Sequence, residues 1–454
     1  MNRLPPEILS LIARCTLNED SVDAKLIVPL THVCRYWHES IASAPRNWTL
    51  ISNERIGLTR LSLQRCKAAP LELRINVLPN PGFSILITPY IQNTETLHID
   101  FAWPHKLAQT LPLRPMPNLR SLSLSGYVGW DRSIDHTEQL MLLAPALTHL
   151  SVTNIPLFPS LLHVRALTDL TLHNYNLDFH LDTLLGFLEE RHSLQHVTLR
   201  IGFKKPSLRN SWRRVAIRNQ LRSLSMYCAD AMDSKALISS IALQRGAHLE
   251  MILHEGNAGA KAILPLLPMA HLSNLQSPTH MEYKFDETGF RLLGPNGSFS
   301  FTDFFGIGEL FVKLPLPLLA NIRTFCFTGR VWKVWKYRRN PIVFPPLSLP
   351  ALETLSIKCE VAASHFLSAL FSDPSSSPSL RTITFLDCDL GEDFMDALTR
   401  FASNRKRTTS TWLHRVVIIS SKGNLPNVSA IDALGKHVPA VDVQIGKKLP
   451  MDLT

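Results

Sequence analysis

The sequence predicts an α/β solenoid, in which short parallel strands lie side by side with helices outside them, preceded by a small all-α segment. Two observations lead to this fold class. An L-x-x-L-x-L pattern recurs along the chain, and the first leucines of five consecutive copies, at 119, 147, 167, 194 and 221, are spaced by 28, 20, 27 and 27 residues. A period in this range is typical of repeat proteins. The first 50 residues instead show helix-start signals and apolar residues at helical spacing.

Length and composition set the class of protein. The chain has 454 residues, of which 45% are hydrophobic, and its 31 prolines against 19 glycines favour many short elements joined by turns. The net charge of +10 is spread thinly, so a basic surface without a dedicated acidic partner is the simplest interpretation. Seven cysteines without CxxC pairs favour reduced thiols in the cytoplasm or nucleus. The longest apolar stretch, 262–272, is too short to span a bilayer, which predicts no membrane segment.

The N-terminal segment opens with a helix signal in "MNRLPPEILSLIARC", because proline is tolerated in a first helical turn. An apolar stripe follows at i, i+3, i+4 and i+7, formed by Ile8, Leu11, Ile12 and Cys15. Leu4 and Leu9 lie off this stripe, so we expect the helix to be apolar on two sides. Domains of about 45 residues are marginal on their own. Something outside the segment is therefore expected to cover the second apolar side.

A family resemblance supplies that partner. The stretch "LPPEILSLIARC…VPLTHVCRYWHESIASAPRNWTLI", within residues 1–51, resembles the F-box in the order and spacing of its motif residues. The resemblance implies binding to a Skp-family adaptor, which connects F-box proteins to a cullin–RING ubiquitin ligase. The implied adaptor-binding residues are Leu4, Pro5, Ile8, Leu9, Val33, Cys34 and Trp37. Trp37 is equally compatible with an internal position, because one aromatic residue often joins such helices.

The repeats fill most of the remaining chain. Clear copies lie at 116–126, 144–154, 164–174, 191–201, 218–228, 319–329, 349–359 and 377–387, with weaker ones at 91–101, 246–256 and 410–420. The alternating L-x-L predicts a strand with one buried face, and 182–192 has helical spacing. The pattern resembles irregular leucine-rich repeats, as found in fungal F-box proteins of the basidiomycete type. The buried Asn or Cys that this family carries after its strand is matched at Cys388.

The remaining boundaries follow from breaks in the pattern. Residues 52–78 predict a connecting helix and strand that join the F-box rigidly to a repeat domain over 79–454, because no Gly/Ser linker is present. Near 281–302, alternating aromatic and aliphatic residues around Gly294–Gly297 predict a β-hairpin insertion. A second insertion, 329–346, is rich in aromatic and basic residues.

Catalytic motifs are missing from the sequence. It contains no phosphate-binding glycine loop, HExxH or G-x-S-x-G, so we expect neither enzymatic activity, nor catalytic residues, nor a cofactor. The third positions of successive repeats predict a lateral polar row, formed by Ser121, His149, Asp169, His196 and Ser223. The seventh positions, which include Arg200 and Tyr227, extend it. A solvated ladder, a partner-binding strip and a metal site are all compatible with such a row.

The basic aromatic insertion is the competing site for a target. Trp332, Trp335, Tyr337 and Arg338 are residue types that dominate protein interfaces, and we favour them over the polar row. They are also compatible with packing against the solenoid edge, and less so with nucleic acid. The sequence thus predicts a non-enzymatic substrate receptor of a Skp–cullin–F-box ubiquitin ligase with a protein target. The alternative is a scaffold that recruits a partner through its repeats without ubiquitination.

Overall fold

The computed structural model describes residues 4–16, 24–76, 81–101, 114–126, 143–155, 164–174, 181–201, 215–216, 221–228, 238, 240–253, 277–284, 289–303, 319–329, 349–359, 377–388, 390–408, 412–420 and 425–445. The chain forms two compact units, Met1–Ser207 and Leu208–Thr454, which we describe separately.

The described helices are α1 Pro6–Cys15, α2 Ile27–Leu30, α3 Arg35–Ser43, α4 Ile56–Cys66, α5 Pro81–Ile87, α6 Leu181–Glu190, α7 Glu392–Thr408 and α8 Val428–Gly435. Three 3-10 turns cover Ala24–Leu26, Pro45–Trp48 and Thr88–Asn93. The described strands of the first unit are β1 Leu50–Ser52, β2 Leu71–Asn76, β3 Thr94–Phe101, β4 Ser121–Gly126, β5 His149–Thr153, β6 Asp169–Asn174 and β7 His196–Ile201. Those of the second unit are β8 Val215–Ala216, β9 Ser223–Cys228, β10 Ile241–Ala242, β11 His248–Leu253, β12 His280–Lys284, β13 Gly289–Gly294, β14 Gly297–Asp303, β15 Thr324–Gly329, β16 Thr354–Cys359, β17 Thr382–Leu386, β18 Arg415–Ser420 and β19 Ala440–Ile445.

The first unit contains a parallel sheet whose strands follow chain order from β1 to β7. All of β1 is buried, whereas the strands from β2 to β7 alternate buried aliphatic residues with more exposed polar ones, so that Leu122 and Leu124 are buried while Ser121 and Ser123 face outward. The β2–β3 pairing shifts once, between Leu71 and Glu72, and beyond it the strands to β7 pair in constant register, so their buried aliphatic residues form one continuous core. The α/β class and the mostly parallel, repeat-like sheet predicted from the L-x-x-L-x-L pattern are confirmed.

A tight turn precedes many of the strands. The Leu119 amide donates to the Met116 carbonyl at 3.1 Å, and the Leu147 amide donates to the Ala144 carbonyl at 3.2 Å. Proline is the second residue of these two turns and of the corresponding turns in two later repeats. The four prolines are Pro117, Pro145, Pro350 and Pro378. Proline presets the backbone angle that this position requires. The high proline content therefore has a structural role at the repeat turns.

The second unit departs from chain order in its larger sheet. Its spatial order is β9–β11–β14–β13–β12–β15–β16–β17–β18–β19, and only the β12–β13 and β13–β14 pairs are antiparallel among the described strands. The strands β8 and β10 form a separate two-stranded sheet. The predicted hairpin is confirmed, with Gly294 opposite Gly297, whose φ of 129° favours glycine. It lies inside the sheet, however, because β14 pairs with β11 and β12 pairs with β15.

The two predicted repeat features outside the strands are also present. The helical spacing at 182–192 corresponds to α6. Cys388 is buried, and its thiol donates to the Ile357 carbonyl of the preceding repeat at 3.2 Å. The family-like position at Cys388 is thus used to satisfy a backbone group between repeats.

The N-terminal helices pack around a small core in the first unit. Leu9, Ala13, Ile41 and Trp48 have no exposed surface, and the Trp48 indole donates to the Ile41 carbonyl at 3.0 Å. Strand β1 follows directly and pairs with β2, so the helices and the repeat sheet belong to one compact unit. The expectation that Leu9 lies on an exposed side of α1 is wrong.

Candidate binding surfaces

The N-terminal helices leave a group of large apolar side chains in contact with solvent. We call this group the N-terminal apolar surface; its members are Leu4 (45% exposed), Ile8 (42%), Leu11 (53%) and Val33 (59%). Leu4, Ile8 and Leu11 are spaced at i, i+4 and i+7, which places them along one side of α1. Helix α1 is therefore apolar on two sides, as its sequence predicts.

Polar contacts fix which side of α1 points outward. The Ser10 hydroxyl donates to the Asn47 side-chain carbonyl at 2.7 Å, and the Asn47 amide donates to the Ile41 carbonyl at 3.2 Å. The Tyr36 hydroxyl of α3 donates to the Leu4 carbonyl at 2.7 Å. These bonds hold α1 against α3 and the Pro45–Trp48 turn, with Leu9 inside. Ile8 and Leu11 consequently face solvent.

The structure places the predicted adaptor-binding residues as follows. Leu4, Pro5, Ile8, Val33 and Cys34 are exposed, and Trp37 is half-buried, between its two proposed environments. Leu9 belongs to the core instead. Leu11 belongs to the predicted helical stripe and not to the implied adaptor-binding residues, yet it is 53% exposed. The i+3 spacing from Ile8 was the signal that could have placed it on the outer side.

A second surface lies on the polar face of the first sheet. Three rows of side chains cross β2 to β7 on this face. The upper row is Glu72, Thr96, Ser121, His149, Asp169 and His196; the middle row is Arg74, His98, Ser123, Ser151, Thr171 and Thr198; the lower row is Asn76, Asp100, Ser125, Thr153, His173 and Arg200. The predicted lateral order of His149, Asp169 and His196 is confirmed by this register.

Ion pairs involve both carboxylates of the upper row, Glu72 and Asp169. Arg74 lies 2.7 Å from Glu72, and His98 Nε2 lies 3.7 Å from the same carboxylate. His149 Nε2 lies 3.2 Å from Asp169 Oδ2, and the two side chains are 57% and 32% exposed. Pairs this exposed contribute little to stability. They instead fix where charge is located on the face.

Burial suppresses positive charge on two histidines of this face, His98 and His173. Desolvation lowers the pKa of His98 below its ordinary value, although Glu72 opposes the shift. Desolvation and the Arg200 guanidinium together lower the pKa of His173. Both imidazoles are therefore held neutral near pH 7, and carboxylates dominate the charge between them.

The three rows enclose a groove of about 950 Å³ between β2 and β6. Its polar lining includes Glu72, Arg74, His98, Asp100, Ser123, Ser151 and Asp169. The floor between the carboxylates is made of small hydroxyl side chains, which leaves room for an occupant. We call this feature the first-sheet groove.

The remaining predicted target residues lie elsewhere. Tyr227 is on β9 of the second unit, opposite Ile252 of β11, and Ser223 lies opposite His248. Trp332, Trp335, Tyr337 and Arg338 lie outside the described residues. Within the described ranges, no three His, Cys, Asp or Glu side chains are grouped closely enough to hold a metal ion.

Comparisons with known proteins leave the family open. No family model matches the chain, and a search of curated proteins finds no relative. Membership of the F-box or leucine-rich-repeat families therefore stays a prediction from the motifs. Among the described helices, none is both long and apolar enough to cross a membrane.

Proposed function

We propose that the protein is the substrate-recognition subunit of a Skp–cullin–F-box ubiquitin ligase in the cytoplasm or nucleus. The observation that carries this proposal is the N-terminal apolar surface. Three of its four members, Leu4, Ile8 and Val33, belong to the F-box-like motif, and large exposed apolar side chains concentrated in so short a segment favour a protein-binding site. The N-terminal helices bind the adaptor, and the repeat sheets offer the surface for a target.

The mechanism is proximity, and the chain supplies no chemistry of its own. The adaptor would hold one end of the protein in the ligase, and the repeats would hold a target near the transferase. Joining two reactants in one assembly replaces a bimolecular encounter with an effectively intramolecular one. The continuous leucine core suits this task, because it presents binding residues on a rigid sheet.

A binding assay with a purified Skp-family adaptor tests the proposal. The double variant Ile8→Ser with Val33→Ser should weaken adaptor binding by about 100-fold or more, since buried anchors contribute ~2 kcal/mol or more each. Val428→Ser is the matched control, because Val428 is 70% exposed but lies outside this surface. Surface plasmon resonance gives the affinities, and the melting temperature of each variant confirms folding.

Two results would contradict the proposal. If the wild-type chain does not bind the adaptor, the N-terminal segment is not an adaptor-binding segment. Equal affinities of the double variant and the Val428→Ser control would show that the N-terminal apolar surface is not the binding site. Capture of the adaptor without a cullin, in a pull-down from cells, would favour the scaffold over the ligase subunit.

A further inference from the structure

The first-sheet groove carries charge opposite in sign to the chain as a whole. The protein has a formal charge of +10, whereas the groove lining contains Glu72, Asp100 and Asp169 against one arginine. That arginine, Arg74, is bound to Glu72 at 2.7 Å. The negative potential of the groove is thus a local feature and does not follow from the composition. It favours a positively charged occupant.

Asp100 and Asp169 set the direction of the occupant. Asp100 is exposed on β3 in the lower row, and Asp169 lies on β6 in the upper row. They lie three strands apart, at ~4.8 Å per strand, and four residues apart along the strand direction. The diagonal distance between the two positions is therefore ~20 Å. Within the described part of the chain, no ion pair to Asp100 is seen. Asp169 Oδ2 accepts from the Thr168 hydroxyl at 2.6 Å and lies 3.2 Å from His149 Nε2, and both contacts involve this one oxygen of the carboxylate.

The floor along this diagonal limits the size of what lies between the carboxylates. Ser123, Ser125 and Ser151 line the groove between β3 and β6, and each is only partly exposed. Small hydroxyl groups let a backbone approach closely and offer it hydrogen bonds. An extended chain advances ~3.4 Å per residue, so a ~20 Å path corresponds to about six residues.

From this geometry we infer that the first-sheet groove binds an extended peptide segment with two basic side chains about six positions apart, on the same side of the chain, and small residues between them. One basic side chain pairs with Asp100 and the other with Asp169, while the small residues lie on the serine floor. The inference rests on the proposed function only in naming this segment as part of the ligase target.

Binding of designed peptides to the full-length chain tests the inference. The probe is Lys-Gly-Ser-Ser-Ser-Gly-Lys with blocked ends and an uncharged fluorophore, and fluorescence anisotropy at low salt measures its affinity. Its counterpart with glutamate in place of both lysines should bind at least tenfold more weakly. A peptide with both lysines adjacent should lose about threefold or more, because it reaches only one carboxylate.

Variants of the chain locate the site. Asp100→Asn and Asp169→Asn should each weaken the lysine peptide about three- to fivefold, and together about tenfold or more, as exposed charge pairs do. Asp432→Asn is the matched control, since it removes an exposed carboxylate on α8. Ser151→Trp should abolish binding by filling the floor, and the melting temperature shows whether it folds.

The outcomes separate this inference from the proposed function. Equal binding of the lysine and glutamate peptides, or wild-type affinity in the double asparagine variant, overturns the inference. Adaptor binding in the double variant should stay unchanged, because neither carboxylate lies in the N-terminal helices. A chain that binds the lysine peptide through these carboxylates but not the adaptor keeps the groove assignment and loses the ligase assignment.

Discussion

Leu9 and Ile8 are neighbours on α1 in opposite environments: Leu9 is fully buried, while Ile8 is 42% exposed. The sequence offers two apolar spacings on this helix, one through residues 8, 11, 12 and 15 and one through residues 9 and 13. Both fit a helical face, so periodicity alone does not decide which side is internal. The contact from Ser10 to Asn47 decides it, and that pair is 37 residues apart in the chain.

Single alanine substitutions at these two positions should therefore differ. Leu9→Ala should lower the free energy of unfolding by about 2–5 kcal/mol, because it opens a cavity in the small N-terminal core. Ile8→Ala should change it by about 1 kcal/mol or less, since the side chain is 42% exposed and its removal opens no closed cavity. Chemical denaturation of both variants measures the difference. Equal losses would mean that α1 packs through its other side.

At the scale of secondary-structure elements, two outer helices are tied to turns by buried arginines. Arg405 on α7 has no exposed surface, and its guanidinium donates to the Ser377, Pro378 and Leu380 carbonyls at 2.6, 2.9 and 3.0 Å. Arg191, just after α6, donates to the Val164 carbonyl at 3.2 Å. In each case the helix follows a strand, and its arginine binds the turn that precedes that same strand.

Replacing the buried arginine should loosen this connection. Arg405→Met should lower the free energy of unfolding by about 2–4 kcal/mol, because the turn carbonyls lose a charged donor in a buried site. Burial already lowers the pKa of Arg405, which shows that its charge is poorly solvated there. Arg400→Met, an exposed substitution on the same helix, should have little effect in the same urea melts. If Arg405→Met left the free energy of unfolding unchanged, the turn carbonyls would have to find other donors.

This arginine could not be assigned a role from the sequence. It stands in the run Arg405, Lys406 and Arg407, which reads as a solvated basic helix end. The strands, by contrast, could be predicted well, because each L-x-x-L-x-L copy contains its own period-two signal. Every clear copy of the pattern includes a described strand. Local patterns fix local structure, while helix-to-turn contacts depend on residues about 25 to 28 positions apart.

At the scale of the whole molecule, four half-buried histidines make stability depend on pH. Desolvation lowers the pKa of His98, His173, His248 and His280 below their ordinary value of 6.5. Below pH 6.5 the unfolded chain therefore binds more protons at these positions than the folded chain does. The contribution of these histidines to the free energy of unfolding is fully present above pH 6.5. It is lost as the pH falls from there through their lowered folded-state pKa values.

The melting temperature should thus stay constant from pH 8 to 7 and decrease between pH 6.5 and 5.5. Carboxylates titrate mainly below pH ~4.5, so they contribute little in this window. The His98→Gln, His173→Gln variant should show a smaller decrease, and His192→Gln, an exposed substitution, should follow the wild type. Differential scanning fluorimetry in matched buffers measures all three. A pH-independent wild type would contradict the role of these histidines.

The sequence also predicted the hairpin in the second unit but not its place in the sheet. Alternating residues around Gly294 and Gly297 identify two paired strands, yet they carry no signal for which strands flank them. The flanking pairs join β11 to β14 and β12 to β15, so each lies outside the hairpin's own pattern. From the sequence alone, the irregular spacing of the repeats in this region therefore indicates an insertion and not two further strands within the sheet.

The reversed strand order around β13 has a consequence for how the second unit assembles. Elsewhere in this sheet, from β16 to β19, each strand pairs with the strand before it in the chain, so structure can spread one repeat at a time. Here β14 pairs with β11 although β12 and β13 come between them in the sequence. The paired residues are therefore about 50 positions apart in the chain. We therefore expect β12, β13 and β14 to add to the sheet as one block, which should make this step slower than the addition of a single repeat.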